Sequence, residues 1–150
     1  MYSTSQIALF LVNGAIGGAV WALVAHVARR FTRHILAAIL IVAAVFYISF
    51  AVQAGASSAW IAAEVAGVLL FGGMAVAGVR GSPWWLVAGW ALHPVWDVPL
   101  HYLGPGHAFA PESYAIACLS WDWVIAAYLI YRIARDSRVA LAAAPARRAA

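Results

Sequence analysis

The sequence has little charge, no lysine and a single cysteine. Charged residues make up 9% of its 150 residues and hydrophobic residues 66%, whereas soluble domains have about 25% charged and about 45–50% apolar residues. This composition excludes an ordinary soluble domain and indicates a membrane protein. Cys118 alone can form neither an intrachain disulfide nor a multi-cysteine metal site. Without lysine no Schiff base can form, which excludes a retinal pigment of the usual kind.

Long apolar runs fill most of the chain. At about 20 residues per membrane span, they leave room for five helices and no soluble domain. The predicted helices cover about 6–28, 35–53, 58–79, 84–103 and 112–133. Residues 1–135 are therefore predicted to form an all-α bundle of five transmembrane helices, and the Ala- and Arg-rich residues 136–150 a disordered tail.

The positions of the arginines predict the orientation of this bundle. All nine lie on one side of the five-helix arrangement, namely Arg29, Arg30, Arg33, Arg80, Arg132, Arg135, Arg138, Arg147 and Arg148. By the positive-inside rule that side is cytoplasmic, so the N-terminus is predicted outside and the C-terminal tail in the cytoplasm. We expect a multi-pass protein of the cell membrane, such as a bacterial inner membrane, in contact with lipid. The net charge of +4 comes from these arginines, so it is explained by the orientation of the bundle and does not indicate a nucleic-acid partner.

The segment 84–102 is apolar enough to cross a bilayer, yet it carries His93, Asp97 and His101 at intervals of four residues. Four residues turn a helix by about 400°, so the three side chains are predicted to share one narrow face. Pro94 and Pro99 interrupt the same segment and predict a kink beside this face. Such a kink could turn the side chains out of alignment.

The depth of a residue in the bilayer follows from its position in its predicted helix, at about 1.5 Å per residue. By this measure, other polar residues lie at the same depth as this face. Asn13, Glu64 and Asp122 fall in the same outer half of the bilayer. Glu64 is predicted at the level of Asp97, and Asp122 at the level of His93. An ionised carboxylate near the bilayer centre costs at least about 2.5–3.5 kcal/mol, and all arginines lie at helix ends. The carboxylates must therefore hold protons, pair with imidazolium groups or bind a metal cation.

A metal centre is the first interpretation of these residues. Its predicted ligands are His93, Asp97, His101, Glu64 and Asp122. This mixed nitrogen and oxygen set suits a divalent ion such as Zn, Fe or Mn. Asp97, His93, Glu64 and Asp122 are also the candidate catalytic residues, because a bound cation activates water or polarises a carbonyl group. Two histidines on one helix cannot ligate a single haem iron from opposite faces, so haem is not expected.

Two alternatives to a metal centre stay open. The same groups could carry out metal-free acid–base chemistry or relay protons. They could also form a hydrogen-bond network that only holds the helices together.

Four tryptophans lie deeper than an interfacial aromatic belt requires. They are Trp90, Trp96, Trp121 and Trp123. With Asn13 they form the predicted binding site for a hydrophobic or lipid-like substrate, because the faces of tryptophan rings can stabilise a cationic state of such a substrate. Simple packing is the alternative for each of them. The favoured function is an intramembrane enzyme, and the alternatives are a transporter or ion-binding protein using the same residues, or a non-catalytic membrane subunit. The glycine-rich helices are compatible with a homo-oligomer.

The motif His93-x-x-Trp96-Asp97-x-x-x-His101, followed by Asp122-x-Val-Ile-Ala-Ala in the next helix, resembles a family of small bacterial integral membrane proteins of unknown function. The likeness covers the fourth and fifth helices, roughly a third of the chain. Members similarly place a His-x-x-Trp-Asp core before a helix with a buried Asp. The resemblance implies a recurrent site but names no chemistry, because the family carries no established activity.

Overall fold

A computed structural model describes residues 2–148, with side chains described from 2 to 142. In this part of the chain five α-helices follow one another: α1, Thr4–Val27; α2, Thr32–Gln53; α3, Ser58–Arg80; α4, Trp84–Asp97; and α5, Glu112–Arg148. A π-helical turn, Val98–Tyr102, continues α4 directly. Short 3-10 turns lie at Arg29–Phe31 and Pro105–Ala108. Among the described residues, α1, α2, α3 and α5 are long and apolar enough to cross a membrane.

Local sequence signals mark several of the helix ends. The Ser3 hydroxyl accepts from the Gln6 N–H at 3.3 Å, and the Gln6 side chain accepts from the Ser3 N–H at 2.9 Å. This reciprocal capping box starts α1. Ser57 caps α3 by accepting from the Trp60 N–H at 3.4 Å. Gly55, with a φ of 66°, forms the tight turn between α2 and α3.

The fifth helix is longer than the sequence predicted. Its end was expected near residue 133, but it continues to Arg148, so residues 136–148 of the predicted disordered tail are helical. Alanine is the strongest helix former, which explains how this Ala-rich stretch extends a helix that packing has already started. Residues 136–142 are exposed, so no buried face revealed the extension in the hydrophobic pattern. The cytoplasmic placement of this segment stays a prediction.

The helices are arranged around α5 and α4. Helix α1 packs against α5, α5 against α4, α4 against α3, and α3 against α2. Helices α1 and α2 touch each other only slightly. A Cβ at Gly14 would overlap the Ala117 carbonyl oxygen, and one at Gly18 would lie 2.6 Å from the Trp121 carbonyl oxygen. The two glycines therefore let α1 lie directly against α5. Between α1 and α2 a cleft remains, with α5 along its inner wall.

The interior and the exterior of the bundle are both apolar. Leu36, Leu40, Phe71, Trp90 and Ile125 are at most 1% exposed and form a core between α2, α3, α4 and α5. Large apolar side chains also cover the outside, among them Leu9, Leu23, Val42, Leu69 and Val95. An apolar exterior of this extent is typical of a surface that faces lipid, and it agrees with a multi-pass membrane protein.

Arginines from three parts of the chain gather at one end of the bundle. Arg33 Nη1 donates to the Gly81 carbonyl oxygen at 3.4 Å, and Arg132 Nη1 donates to the Thr32 hydroxyl at 3.3 Å. The α1–α2 connection, the α3–α4 connection and the middle of α5 therefore meet at one end, the arginine end. At the opposite end the Trp60 ring, near the start of α3, lies 5.1 Å from the Phe109 ring in the α4–α5 connection.

Candidate functional site

Three buried side chains from α4 and α5 meet in the middle of the bundle. His93 Nδ1 lies 2.9 Å from Asp122 Oδ2 and 3.3 Å from Asp97 Oδ2. All three side chains are at most 1% exposed. One nitrogen or oxygen atom from each lies within 4.8 Å of the others. This triad of His93, Asp97 and Asp122 could therefore hold a single metal ion.

Helix geometry accounts for this meeting. His93 and Asp97 are four residues apart on α4 and so share one face. Asp122 lies ten residues after the first residue of α5 and ten before Arg132, which places it about 15 Å from each end of the span. Depth matching in the sequence paired Asp122 with His93, and the structure brings these two side chains together.

Glu64 and His101 form a second, separate pair. His101 Nε2 lies 3.5 Å from Glu64 Oε1, and the two side chains are 0% and 2% exposed. Depth matching had placed Glu64 beside Asp97 instead. The His101 ring stacks on Tyr47, with 4.1 Å between the ring centroids and 19° between the planes. Of the five predicted ligands, three therefore belong to the triad and two lie in a neighbouring pair.

The π-helical turn explains why His101 leaves the predicted stripe. The Leu103 N–H donates to the Val98 carbonyl oxygen at 2.9 Å, five residues back, so this turn is wider than a turn of α-helix. His101 therefore has a different angular position from the one that α-helical spacing gives. Pro99, which has no N–H to donate, lies in this turn. Pro94, the other predicted kink position, lies inside α4, so the π-helical turn follows Asp97 and the kink itself stays a prediction.

Tyr47 of α2 is a site residue that the sequence analysis did not single out. Its ring lies between the two histidine sites, 4.1 Å from His101 and 6.4 Å from His93 between centroids. Its hydroxyl is buried close to Asp97, but distance and angle together give it no hydrogen-bond partner among the described residues. A phenol in the middle of an apolar span is the signal that could have indicated it, because a buried Tyr hydroxyl usually has a partner.

The charge of these groups is unbalanced. Three carboxyl groups face two imidazoles, so with all three carboxyl groups ionised one negative charge is in excess even when both imidazoles are protonated. Both oxygens of Asp97 and Oδ1 of Asp122 lack a hydrogen-bond partner within the described part of the chain. Buried polar atoms of this kind normally have a partner. The donor set of the triad therefore fits a cation, and a divalent ion beside a neutral His93 would balance the charge.

A cleft of about 620 Å³ opens between α1 and α2 next to the triad. Its walls are mainly apolar and include Phe46 from α2 and Trp121 from α5. The exposed amide of Asn13 also lines it. Asp122 contributes to the inner wall, although its side chain is 0% exposed. The cleft has the size and the apolar lining of a ligand pocket, and it reaches a member of the triad.

The residues predicted to bind substrate lie in different places. Asn13 and Trp121 line the cleft. Trp90 is fully buried in the core. Trp96 packs against Gly67 of α3, and Trp123 is 52% exposed on the outside of the bundle. Phe46 and Tyr114 also line the cleft and were not singled out, because the separation of α1 and α2 has no signature in either helix.

Comparison with known proteins gives a family but no activity. No curated protein and no solved structure matches the chain. A family model matches residues 9–136, which include α4 and the triad. This match confirms the prediction of an uncharacterised family, while the His-x-x-Trp-Asp motif as a family feature stays a prediction. The chain belongs to a family of unknown function, DUF6010.

Proposed function

We propose that the protein is an intramembrane enzyme that uses a divalent metal ion at the triad to act on a hydrophobic, lipid-like molecule. One observation carries the proposal: Asp122 belongs both to the triad and to the wall of the apolar cleft between α1 and α2. A lipid-like molecule could reach this wall from the bilayer without entering water. Since Asp122 is fully buried, the adjoining side chains of Cys118 and Trp121 must move slightly to admit the reacting group.

The number and type of ligands favour a catalytic ion over a structural one. Structural zinc sites use four protein ligands, whereas catalytic sites use three and keep one position for water or substrate. The triad offers three ligands, one imidazole and two carboxylates, within reach of one ion. This set suits Zn, Fe or Mn. The ion supplies Lewis-acid activation of a carbonyl or phosphoryl oxygen, or of a bound water.

The proposal includes five membrane spans, with the N-terminus outside and the arginine end in the cytoplasm. The meeting of Arg33 with Gly81 and of Arg132 with Thr32 at one end supports it. Positive charge gathered at one end is typical of a cytoplasmic side. In this orientation the cleft opens towards the lipid of the cell membrane, near mid-depth. Homo-oligomers stay a prediction.

A metal-free acid–base mechanism is the second candidate, and a specific contact favours it. His93 Nδ1 hydrogen-bonds Asp122 Oδ2 at 2.9 Å. A carboxylate that accepts from Nδ1–H fixes the imidazole in one orientation and leaves Nε2 to move a proton. The two candidates differ in their response to metal removal.

Metal analysis of the detergent-purified full chain separates these candidates. We expect about one equivalent of Zn, Fe or Mn in the wild type, and at least a tenfold lower occupancy in Asp97→Asn and Asp122→Asn. Glu112→Gln removes a carboxylate at the start of α5, outside the triad, and is the matched control with unchanged occupancy. A wild type that stays metal-free after incubation with each ion would contradict the metal centre.

Activity is tested by incubating the purified protein with the lipid extract of its host membrane and comparing products by mass spectrometry. We expect a lipid-soluble species that the wild type consumes and Asp122→Asn does not. Loss of this activity on chelation, with recovery on metal addition, supports the metal centre, whereas activity that resists chelation supports the acid–base mechanism. Identical lipid profiles for both proteins, together with solute flux in liposomes that depends on Asp122, would contradict an enzyme and favour a transporter.

A further inference from the structure

A basic cavity of about 330 Å³ lies at the arginine end, far from the triad. Side chains from the α1–α2 connection, the start of α2 and the second half of α5 line it, among them Arg29, Arg30, Arg33, His34, Arg132 and Asp136. Four arginines and one carboxylate therefore line the same cavity. We call this cavity the basic pocket.

The protein itself does not neutralise the basic pocket. Asp136 is 60% exposed, and its carboxylate lies 4.0 Å from Arg132 Nη2 and 3.7 Å from Arg135 Nη2. Ion pairs this long and this exposed are weak. Among the residues that line the pocket in the described chain, Asp136 is the one carboxylate. The remaining positive charge favours an anionic ligand.

Arg132 is held in place in the pocket wall. Its side chain is 16% exposed. Nη1 donates to the Thr32 hydroxyl at 3.3 Å and to the Tyr128 hydroxyl at 3.4 Å. The Thr32 hydroxyl in turn donates to the Ala25 carbonyl oxygen at 2.7 Å, which leaves its lone pairs free to accept. Nε of Arg132 is buried and has no partner among the described residues. The bonds of Nη1 fix the guanidinium in the pocket wall, and a fixed guanidinium is prepared to bind an anion.

We propose that the basic pocket binds a phosphate-bearing anion, either the headgroup of an anionic phospholipid or a free phosphate. Guanidinium groups recognise phosphate oxygens through paired N–H donors. Clustered arginines at a membrane surface are also where anionic lipid headgroups bind. Val79, Leu129 and Ile133 form an apolar part of the same wall, which suits the glycerol and acyl portion of a lipid. The proposal is independent of the triad and of the proposed enzyme activity.

Native mass spectrometry of the full chain in detergent micelles tests this site. The micelles contain either phosphatidylglycerol or phosphatidylcholine with the same acyl chains, and a third sample contains inorganic phosphate. We expect one phosphatidylglycerol to stay bound where phosphatidylcholine does not. Arg132→Gln should lower this retention at least tenfold. Arg80→Gln is the matched control, because Arg80 is an exposed arginine near the same end that does not line the pocket, and its retention should stay within about twofold of the wild type.

The samples also separate the two sources of phosphate. Retention of phosphatidylglycerol that inorganic phosphate does not displace supports a lipid headgroup, and displacement at millimolar phosphate supports a free anion. Equal retention of both lipids with no bound phosphate in the third sample, or an equal loss in Arg80→Gln and Arg132→Gln, would overturn the proposal. Arg132 also contacts Thr32 and Tyr128, so its loss could disturb the fold. The double variant Arg29→Gln, Arg33→Gln changes only exposed residues of the pocket and should also fail to retain phosphatidylglycerol.

Discussion

At the scale of single residues, Tyr47 raises the sharpest question, because its buried hydroxyl has no hydrogen-bond partner among the described residues. A hydroxyl buried without a partner costs about 1–3 kcal/mol. Tyr47→Phe keeps the ring stacked on His101 and removes this cost, so the free energy of unfolding should stay the same or rise. Unfolding in mixed micelles measures it. A loss of more than about 1 kcal/mol would mean that the hydroxyl is bonded in the membrane.

Glu64→Gln tests whether the triad and the Glu64–His101 pair are separate sites. The substitution replaces the buried carboxylate 3.5 Å from His101 Nε2, to which it is not hydrogen-bonded, by an amide. The ion pair is lost, so we expect a fall of about 3–5 kcal/mol in the free energy of unfolding. Metal occupancy should not change, because Glu64 is outside the group that could hold an ion. Both quantities are measured beside Glu112→Gln. A fall in occupancy as large as that of Asp97→Asn would instead restore Glu64 to the ligand set.

At the scale of helices, the contact between α1 and α5 should be sensitive to a single methyl group. A Cβ at Gly14 would overlap the Ala117 carbonyl oxygen, whereas one at Gly73 of α3 meets nothing within 4 Å. Gly14→Ala should therefore lower the free energy of unfolding by about 1–3 kcal/mol through overpacking. Gly73→Ala, the matched control, should be neutral or stabilising, because alanine favours helix. Equal effects in the two variants would place α1 away from α5.

The helices also show what the sequence could and could not predict. Apolar length predicted both ends of α1, α2 and α3 within three residues and the start of α5, and matching of depths predicted the contact of His93 with Asp122. The separation of His101 accompanies a π-helical turn that contains Pro99, and regular α-helical spacing does not predict such a turn. The cleft arises because α1 packs on α5 while α2 packs on α3, and no pattern within one helix records such a choice of neighbours.

At the scale of the whole molecule, the number of spans depends on α4. This helix has 14 residues, and with the π-helical turn it runs from Trp84 to Tyr102, a length of about 28 Å at about 1.5 Å per residue. The hydrocarbon core is about 30 Å thick. The start of α4 lies at the arginine end, near the contact of Arg33 with Gly81. The connection after it contacts Trp60 at the other end. The segment therefore runs from one end of the bundle to the other, as the proposed fifth span requires.

Five spans predict that residues 82 and 137 lie on one side of the membrane and residue 57 on the other. In a Cys118→Ala background, which removes a buried thiol, Ser57→Cys should react with a membrane-impermeant maleimide in intact cells. Ser82→Cys and Ser137→Cys should react only after permeabilisation, because the arginines beside them favour the cytoplasm. If Ser82→Cys and Ser137→Cys reacted from opposite sides, the segment from Trp84 to Tyr102 would not cross the membrane. His93 and Asp97 of the triad would then lie in a re-entrant segment, and the cleft beside Asp122 would open at a different depth.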